Sequence, residues 1–338
     1  VVDVYRRDTE PAQSYLEYLS FVSFFPTIVA GPILRARQLL PQLRGRLTLD
    51  AETGGQALFL IAIGLVKKIA IADYLSANFV DRVFDFPERF SALEVMVAVY
   101  GYALQIYADF SGYSDIAIGS AMLLGLTLPI NFNAPYQSRN LPEFWRRWHI
   151  SLSTWLRDYV FFTVAGRRAR HTAILYCGLI VTMLIGGLWH GATWTFVLWG
   201  LLHGVGLVCA RAFEAVRKRF ALLPRNTVWA NGLGVCLTFH FICLTWIFFR
   251  AETAGQAFSL LRQLFSFTAN TANLAAPVVL IVVLGLLAHW IPDRVYNQVR
   301  DGFVRLPALA QAAALFALAI GLYFVASSDV VPFIYARF

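Results

Sequence analysis

Charge is scarce in this sequence, and so are the signatures of most soluble enzymes. Only 14% of its 338 residues are Asp, Glu, Lys or Arg, where an ordinary soluble domain carries about 25%. The four cysteines, Cys177, Cys209, Cys236 and Cys243, stand in apolar stretches without paired spacing. They support neither a disulfide framework nor a zinc site and read as small buried hydrophobes. There is no Walker motif, no G-x-G-x-x-G after a strand, no H-E-x-x-H and no G-x-S-x-G. Nucleotide-driven pumping, dinucleotide chemistry, zinc hydrolysis and the α/β-hydrolase elbow are therefore unsupported. A concentrated basic patch of the kind nucleic acid requires is also missing. The net charge of +8 is spread over short loops, where it reads as contact with membrane lipid headgroups and as a topology signal.

What the sequence does have is apolar length. Hydrophobic residues make up 58% of it and the mean hydropathy is +0.60. Crossing the hydrocarbon core takes about 20 apolar residues, and several segments are long enough, so an all-α, multi-pass membrane fold is expected. Residues 15–34 are interrupted by Pro26, Gly31 and Pro32 and predict a broken or re-entrant segment. A span is expected at 54–75, with Lys67 and Lys68 snorkelling near one boundary. Residues 91–128 read as two apolar stretches separated by Ser111-Gly112-Tyr113-Ser114-Asp115. Residues 129–148, rich in Pro, Asn, Trp and Arg, suit an interfacial or re-entrant element. The long run 172–210 lies between two basic clusters, Arg167–Arg170 and Arg211–Arg225. It is expected to cross, turn near Trp189–Thr193 and return. Further spans are expected at 228–249, 275–292 and 306–327. Residues 1–338 read as a single membrane domain, and Val1–Arg7 looks like the end of a span, so N-terminal helices are expected upstream.

Ionisable groups within such runs are costly and are usually functional or paired. His190 lies in Gly186-Gly187-Leu188-Trp189-His190-Gly191. Trp189 and Trp194 are expected to wall it, and Gly191 to take a positive φ. Two readings of His190 stay open, a proton acceptor or a buried histidine bonded to a backbone carbonyl. His149 follows Arg146 and Arg147, whose charge should favour its neutral form; a lipid-headgroup contact is the alternative. His203 and His240 read as helix-packing hydrogen-bond partners, His289 as an interface anchor and His171 as part of a basic loop. Asp115 reads as a helix cap at a break, whereas Asp109 is either a cap or part of a polar cavity wall. Arg157 and Asp158, being adjacent, are not expected to pair on a helix.

Taken in order, several motifs resemble the membrane-bound O-acyltransferase (MBOAT) family. They are Phe24-Phe25-Pro26-Thr27-Ile28-Val29-Ala30-Gly31-Pro32, Asp109-Phe110-Ser111-Gly112-Tyr113-Ser114-Asp115, Asn131-Phe132-Asn133-Ala134-Pro135-Tyr136, Phe144-Trp145-Arg146-Arg147-Trp148-His149, Gly186-Gly187-Leu188-Trp189-His190-Gly191-Ala192 and Trp246-Ile247-Phe248-Phe249-Arg250. The branch they resemble holds alginate O-acetyltransferase membrane subunits. The resemblance implies a helical fold with re-entrant segments and a central funnel or tunnel meeting an essential histidine. By position, His190 corresponds to that histidine and His149 to the second histidine of the branch. Trp189, Trp194, Trp145, Arg146 and Asp109 are the expected substrate-binding residues. The implied activity is transfer of acetyl groups from a cytoplasmic thioester, acetyl-CoA, across a bacterial inner membrane. The acceptor is an exported polysaccharide, with a periplasmic acetyltransferase-like partner and neither a metal nor a permanently bound cofactor. The rivals are D-alanyl transfer to teichoic acid and a non-enzymatic transporter or channel. Val164-Ala165-Gly166-Arg167-Arg168 stands where the branch has Leu-Gly-Gly-Asn-Arg, which leaves the polymer open.

Overall fold

A computed structural model describes residues 1–166, 171–220 and 227–326. Among these, every regular element is helical, in agreement with the all-α expectation. The longer helices are α1 (Tyr15–Val22), α2 (Ala36–Arg44), α3 (Ala51–Leu65), α4 (Ala92–Leu123), α5 (Leu141–Arg147), α6 (Ile150–Trp155), α7 (Thr172–His190), α8 (Trp194–Phe220), α9 (Val228–Arg250), α10 (Ala254–Leu264), α11 (Ala276–Leu287), α12 (Asp293–Val304) and α13 (Ala308–Val325). They fall into two compact units. The first comprises Val1–Ala70, Asp109–Asn131 and Ile291–Ala326, the second Ile71–Ala108 and Phe132–Trp290.

Four of the described helices, α7, α8, α9 and α13, are long and apolar enough to cross a bilayer. The expected turn near Trp189–Thr193 falls between α7 and α8. These two helices run antiparallel with their backbones close together. A Cβ on Gly187 would lie 2.3 Å from the Phe196 carbonyl oxygen, and one on Gly200 would lie 2.5 Å from that of Met183. Without a hydrophobic drive between helices in lipid, such small-residue contacts hold membrane helices together. Helix α9 returns antiparallel along α8, with Trp246 stacked on Trp199 at 6.1 Å and Phe249 against Phe196 at 5.2 Å. The core of this second unit is aromatic, with Phe144, Trp148, Trp199, Trp246 and Phe249 all buried.

Local chemistry explains several helix starts. The side chains of Asp50, Asn140, Thr227 and Thr253 accept hydrogen bonds from the first turns of α3, α5, α9 and α10, satisfying amides that a helix leaves unpaired. Pro142 occupies the first turn of α5, where its missing N–H costs nothing. The segment 15–34 is broken as expected, into α1 and a single turn at Phe25–Ile28.

Several expectations need correction. The helix does not break at Ser111–Asp115; α4 runs through it. Asp115 therefore caps nothing. It accepts a hydrogen bond from Lys67 at 2.6 Å, while Asp109 pairs with Lys68 at 2.8 Å. With their carboxylates matched, these residues tolerate a helix interior. Lys67 and Lys68 in turn do not simply snorkel. They lie where α3 widens into a π-helical stretch, Val66–Asp73, one of the irregularities that often mark functional regions. Arg157 and Asp158 do pair, at 2.8 Å, in another π stretch, Leu156–Phe161. The segment expected at 275–292 is shorter, with α11 ending in a 3-10 turn at Ala288–Trp290. Of the cysteines, all free, Cys243 is buried in the protein, whereas Cys177, Cys209 and Cys236 lie on exposed faces of apolar helices. The cluster Arg167–Arg170 and residues 221–226 lie outside the described residues.

Candidate active site

His190 is the last residue of α7, and His149 immediately precedes α6. Both belong to the second unit and both are buried, at 6% and 2% exposure. The indole of Trp189 lies next to both, 4.9 Å from the His190 ring and 6.3 Å from that of His149. Three further rings enclose His190. Phe249 is 5.0 Å away and Trp199 5.3 Å away, both edge-on, with Phe196 at 6.1 Å. Stacking on Phe132 at 6.5 Å orients His149, and a long 3.5 Å contact links its Nδ1 to the Ser151 hydroxyl.

The backbone of His149 is in the left-handed region, with φ 41° and ψ 57°. For a side chain other than glycine such a conformation costs roughly 1–3 kcal/mol and persists only where the surroundings enforce it. Burial pushes the His149 imidazole well below the usual histidine range, and the nearby His190 ring adds to the effect. The neutral form is thus favoured, as the sequence suggested, but burial and the second histidine are the cause rather than Arg146 and Arg147. Arg146 is exposed. Arg147 bonds Glu143 at 3.0 Å, and Arg139 holds the same carboxylate at 3.1 Å. Burial raises the pKa of Glu143, yet the Arg139 amide and the two guanidiniums outweigh it and hold the group below its ordinary value.

The expected binding residues have separate fates. Trp189 bridges the two histidines. Trp145 sits one ring further out, edge-on to Trp199 at 5.9 Å and to His203 at 5.1 Å. Trp194 is three-quarters exposed and makes no ring contact with His190 among the described residues. Asp109 belongs to the first unit, in its ion pair with Lys68. Gly191 is extended, at φ 168°. Its small size matters for another reason, since a Cβ there would lie 2.6 Å from the Phe196 ring. Phe196, Trp199 and Phe249 form walls that the sequence did not single out, although Phe249 lies within the late motif Trp246–Arg250. His203 and His240 hydrogen-bond as packing residues, to Thr245 and to Tyr100. His289 is not an interface anchor. It is buried between Tyr107 and Tyr136, at 4.5 and 5.1 Å.

A buried pair of imidazoles at a helix end, walled by aromatic rings, can accept a proton and exclude bulk water from the same place. A profile of the MBOAT, membrane-bound O-acyltransferase, family matches residues 11–250. The chain belongs to this family. It is a multi-pass membrane protein, and its similarity to family members extends over most of its length. It is 42% identical to the peptidoglycan O-acetyltransferase of Helicobacter pylori over 73% of this chain and 46% of that protein. It is 40% identical to the probable alginate O-acetylase AlgI of Azotobacter vinelandii over 86% of this chain and 56% of that protein. Identity to the teichoic acid D-alanyltransferase of Bacillus subtilis is 33%, over 69% of this chain and 61% of that protein. The chain thus spans about half the length of the first two relatives. His190, His149 and the rings around them all lie within the matched residues.

Proposed function

We propose that the protein containing this chain is an O-acetyltransferase. It takes acetyl groups from a cytoplasmic thioester, acetyl-CoA, and delivers them across a bacterial inner membrane for O-acetylation of an exported polysaccharide. The single observation that carries the reading is the convergence of His190 and a conformationally strained His149 in one buried aromatic cluster. Strain of this kind collects at functional sites.

His190 acts as general base. As it removes the proton from an acceptor hydroxyl, the hydroxyl oxygen bonds to the acyl carbon and the C–S bond breaks. The proton then passes to the departing thiolate, leaving an ester and a free thiol. His149, neutral and held from the other side of Trp189, orients the acyl carbonyl or the acceptor. Water excluded by Phe196, Trp199 and Phe249 cannot compete for the acyl group. A periplasmic acetyltransferase-like protein is the expected partner in carrying the acetyl group to the polymer.

The direct test replaces His190 with Ala in the full-length protein and measures ester-linked acetate on the exported polymer. Loss of the acetate is expected; acetate at the wild-type level would sink the assignment. The 33% identity to a teichoic acid D-alanyltransferase supports a second reading, D-alanyl transfer from a carrier protein. Supplying labelled acetyl-CoA and a labelled D-alanyl carrier thioester side by side separates the two.

A further inference from the structure

Helix α10 and the loop that follows it lie between two apolar helices, α9 and α11. The start of α9 is level with the basic end of α8, which carries Arg217, Lys218 and Arg219. Basic ends stay cytoplasmic, so α9 reaches the exported boundary at Arg250, and α10 begins within a turn of it. The chain then turns back. Helix α11 packs on α4 closely enough that a Cβ on Gly285 would lie 2.3 Å from the Leu104 side chain. Its exposed Leu280, Val283, Leu284 and Leu287 form an apolar face toward lipid. The stretch between α9 and α11 is thereby held at the level of the exported membrane surface.

Helix α10 is apolar over a wider arc than the protein covers. Ala257 and Leu260 are buried, and the amides of Gln256 and Gln263 fasten the helix by donating to the carbonyls of Phe84 and Phe90. Phe258 and Phe265, seven residues apart and so on one face, are 57% and 60% exposed. Phe258 lies at the border of the protein, its ring 6.0 Å from that of Phe248 in the last turn of α9. The exposed Arg262 stands between the two rings on the same side of the helix. Rings flanking a guanidinium suit the headgroup region, where the rings enter the acyl boundary and the cation meets phosphate.

The loop adds a third ring. Phe267 has φ 54° and is 87% exposed. A bulky residue holds such a backbone only where its surroundings enforce it, and here both neighbours are tied. The Ser266 hydroxyl donates to the Gln263 carbonyl at 2.8 Å. Thr268 accepts the amides of Ala92, on its hydroxyl at 2.9 Å, and of Leu93, on its carbonyl at 3.2 Å. Further along, the Ser91 hydroxyl donates to the Asn270 carbonyl at 2.6 Å. The carboxylate of Glu94, 1% exposed, accepts the amides of Ser91 at 2.9 Å and Asn273 at 2.8 Å. This clamp at the start of α4 fixes the loop and leaves the Phe267 ring turned outward.

We propose that α10 and this loop form an anchor in the exported leaflet, with Phe258, Phe265 and Phe267 seated in the acyl boundary and Arg262 on a lipid phosphate. The occupant is lipid because the patch continues the apolar surface of α11 and the border of α9. The clamp around Glu94 presents Phe267 to the bilayer, and the anchor holds the end of α9, whose Phe249 walls His190.

The test uses the full-length protein in nanodiscs of phosphatidylcholine and phosphatidylglycerol, with its accessible cysteines, Cys177, Cys209 and Cys236 among them, replaced by Ser. A nitroxide is attached in turn to Phe258→Cys, Phe265→Cys, Phe267→Cys and Ser259→Cys. Relaxation by oxygen, which concentrates among acyl chains, is compared with relaxation by a nickel chelate, which stays in water. The three sites of the anchor should favour oxygen, and Ser259→Cys, on the polar face, should favour nickel. Adding Glu94→Gln to Phe267→Cys should narrow the spectrum and shift the label toward nickel; Ser91→Ala, which removes another tie, serves if that variant does not fold. A nickel preference at Phe267→Cys equal to that at Ser259→Cys overturns the anchor. Labels that neither reagent reaches mean that protein covers the patch, and they overturn it as well. A Phe267→Cys spectrum unmoved by both Glu94→Gln and Ser91→Ala overturns the role given to the clamp.

Discussion

The ion pairs of the first unit and the histidine site of the second hold ionisable groups in opposite ways. In the first, charge meets charge, with Lys67 on Asp115 and Lys68 on Asp109. In the second, His149 and His190 are packed among aromatic rings. A matched ion pair is held in place by its partner and has little reason to exchange protons. An imidazole kept neutral by apolar surroundings remains able to take one up. Burial alone therefore does not mark chemistry; the kind of neighbour does.

The strongest way to break this contrast is to remove a ring that is argued to act. His149→Ala should lower acetyl transfer by roughly 10²–10⁴-fold, the range typical of a lost acid–base group. A variant that keeps more than a tenth of wild-type turnover would put His149 with the structural residues. The next test removes one side of an ion pair. Lys68→Met takes the lysine from a carboxylate that is 1% exposed, at an expected cost of up to about 3–5 kcal/mol. Adding Asp109→Leu should restore most of it, as read from thermal unfolding in detergent, and failure to recover would show that the pair is more than structural. Proton affinity gives a finer comparison. Because burial lowers the pKa of His149, its neutral form persists as pH falls through about 6.5, the ordinary imidazole value. Transfer rates measured from pH 8 to pH 5 should show no His149 limb at that value; one appearing there would contradict its burial. The smallest effect is expected at an exposed pair. Arg157→Ala should change stability by less than about 0.5 kcal/mol, since the Arg157 side chain is 56% exposed.

Hydropathy and the basic clusters revealed the α7–α8 hairpin, α9, α13 and the position of the turn beside His190, because long apolar runs leave a helix few alternatives. The continuity of α4 was hidden. Asp109, Ser111 and Asp115 look like a break until Lys67 and Lys68 are placed opposite them, and no local pattern announces a partner 48 residues away. The site was legible in the same partial way. His190 and His149 stood out as polar residues in motifs, and Trp189 as their neighbour. Phe196, Trp199 and Phe249 did not, since an aromatic in an apolar helix looks the same whether it faces lipid or an imidazole. Trp194 misled for that reason, and the positive φ fell at His149, where no glycine signalled it.

The 48-residue separation of Lys67 from Asp115 also matters while the protein is being made. Synthesis at about 5–20 residues per second leaves the lysine roughly 2–10 s without its carboxylate. A lysine without its carboxylate keeps its ammonium toward water while its stem lies along apolar surface. The end of α3 should therefore settle only once α4 has emerged, so the order of translation becomes a condition for burying this part of the chain.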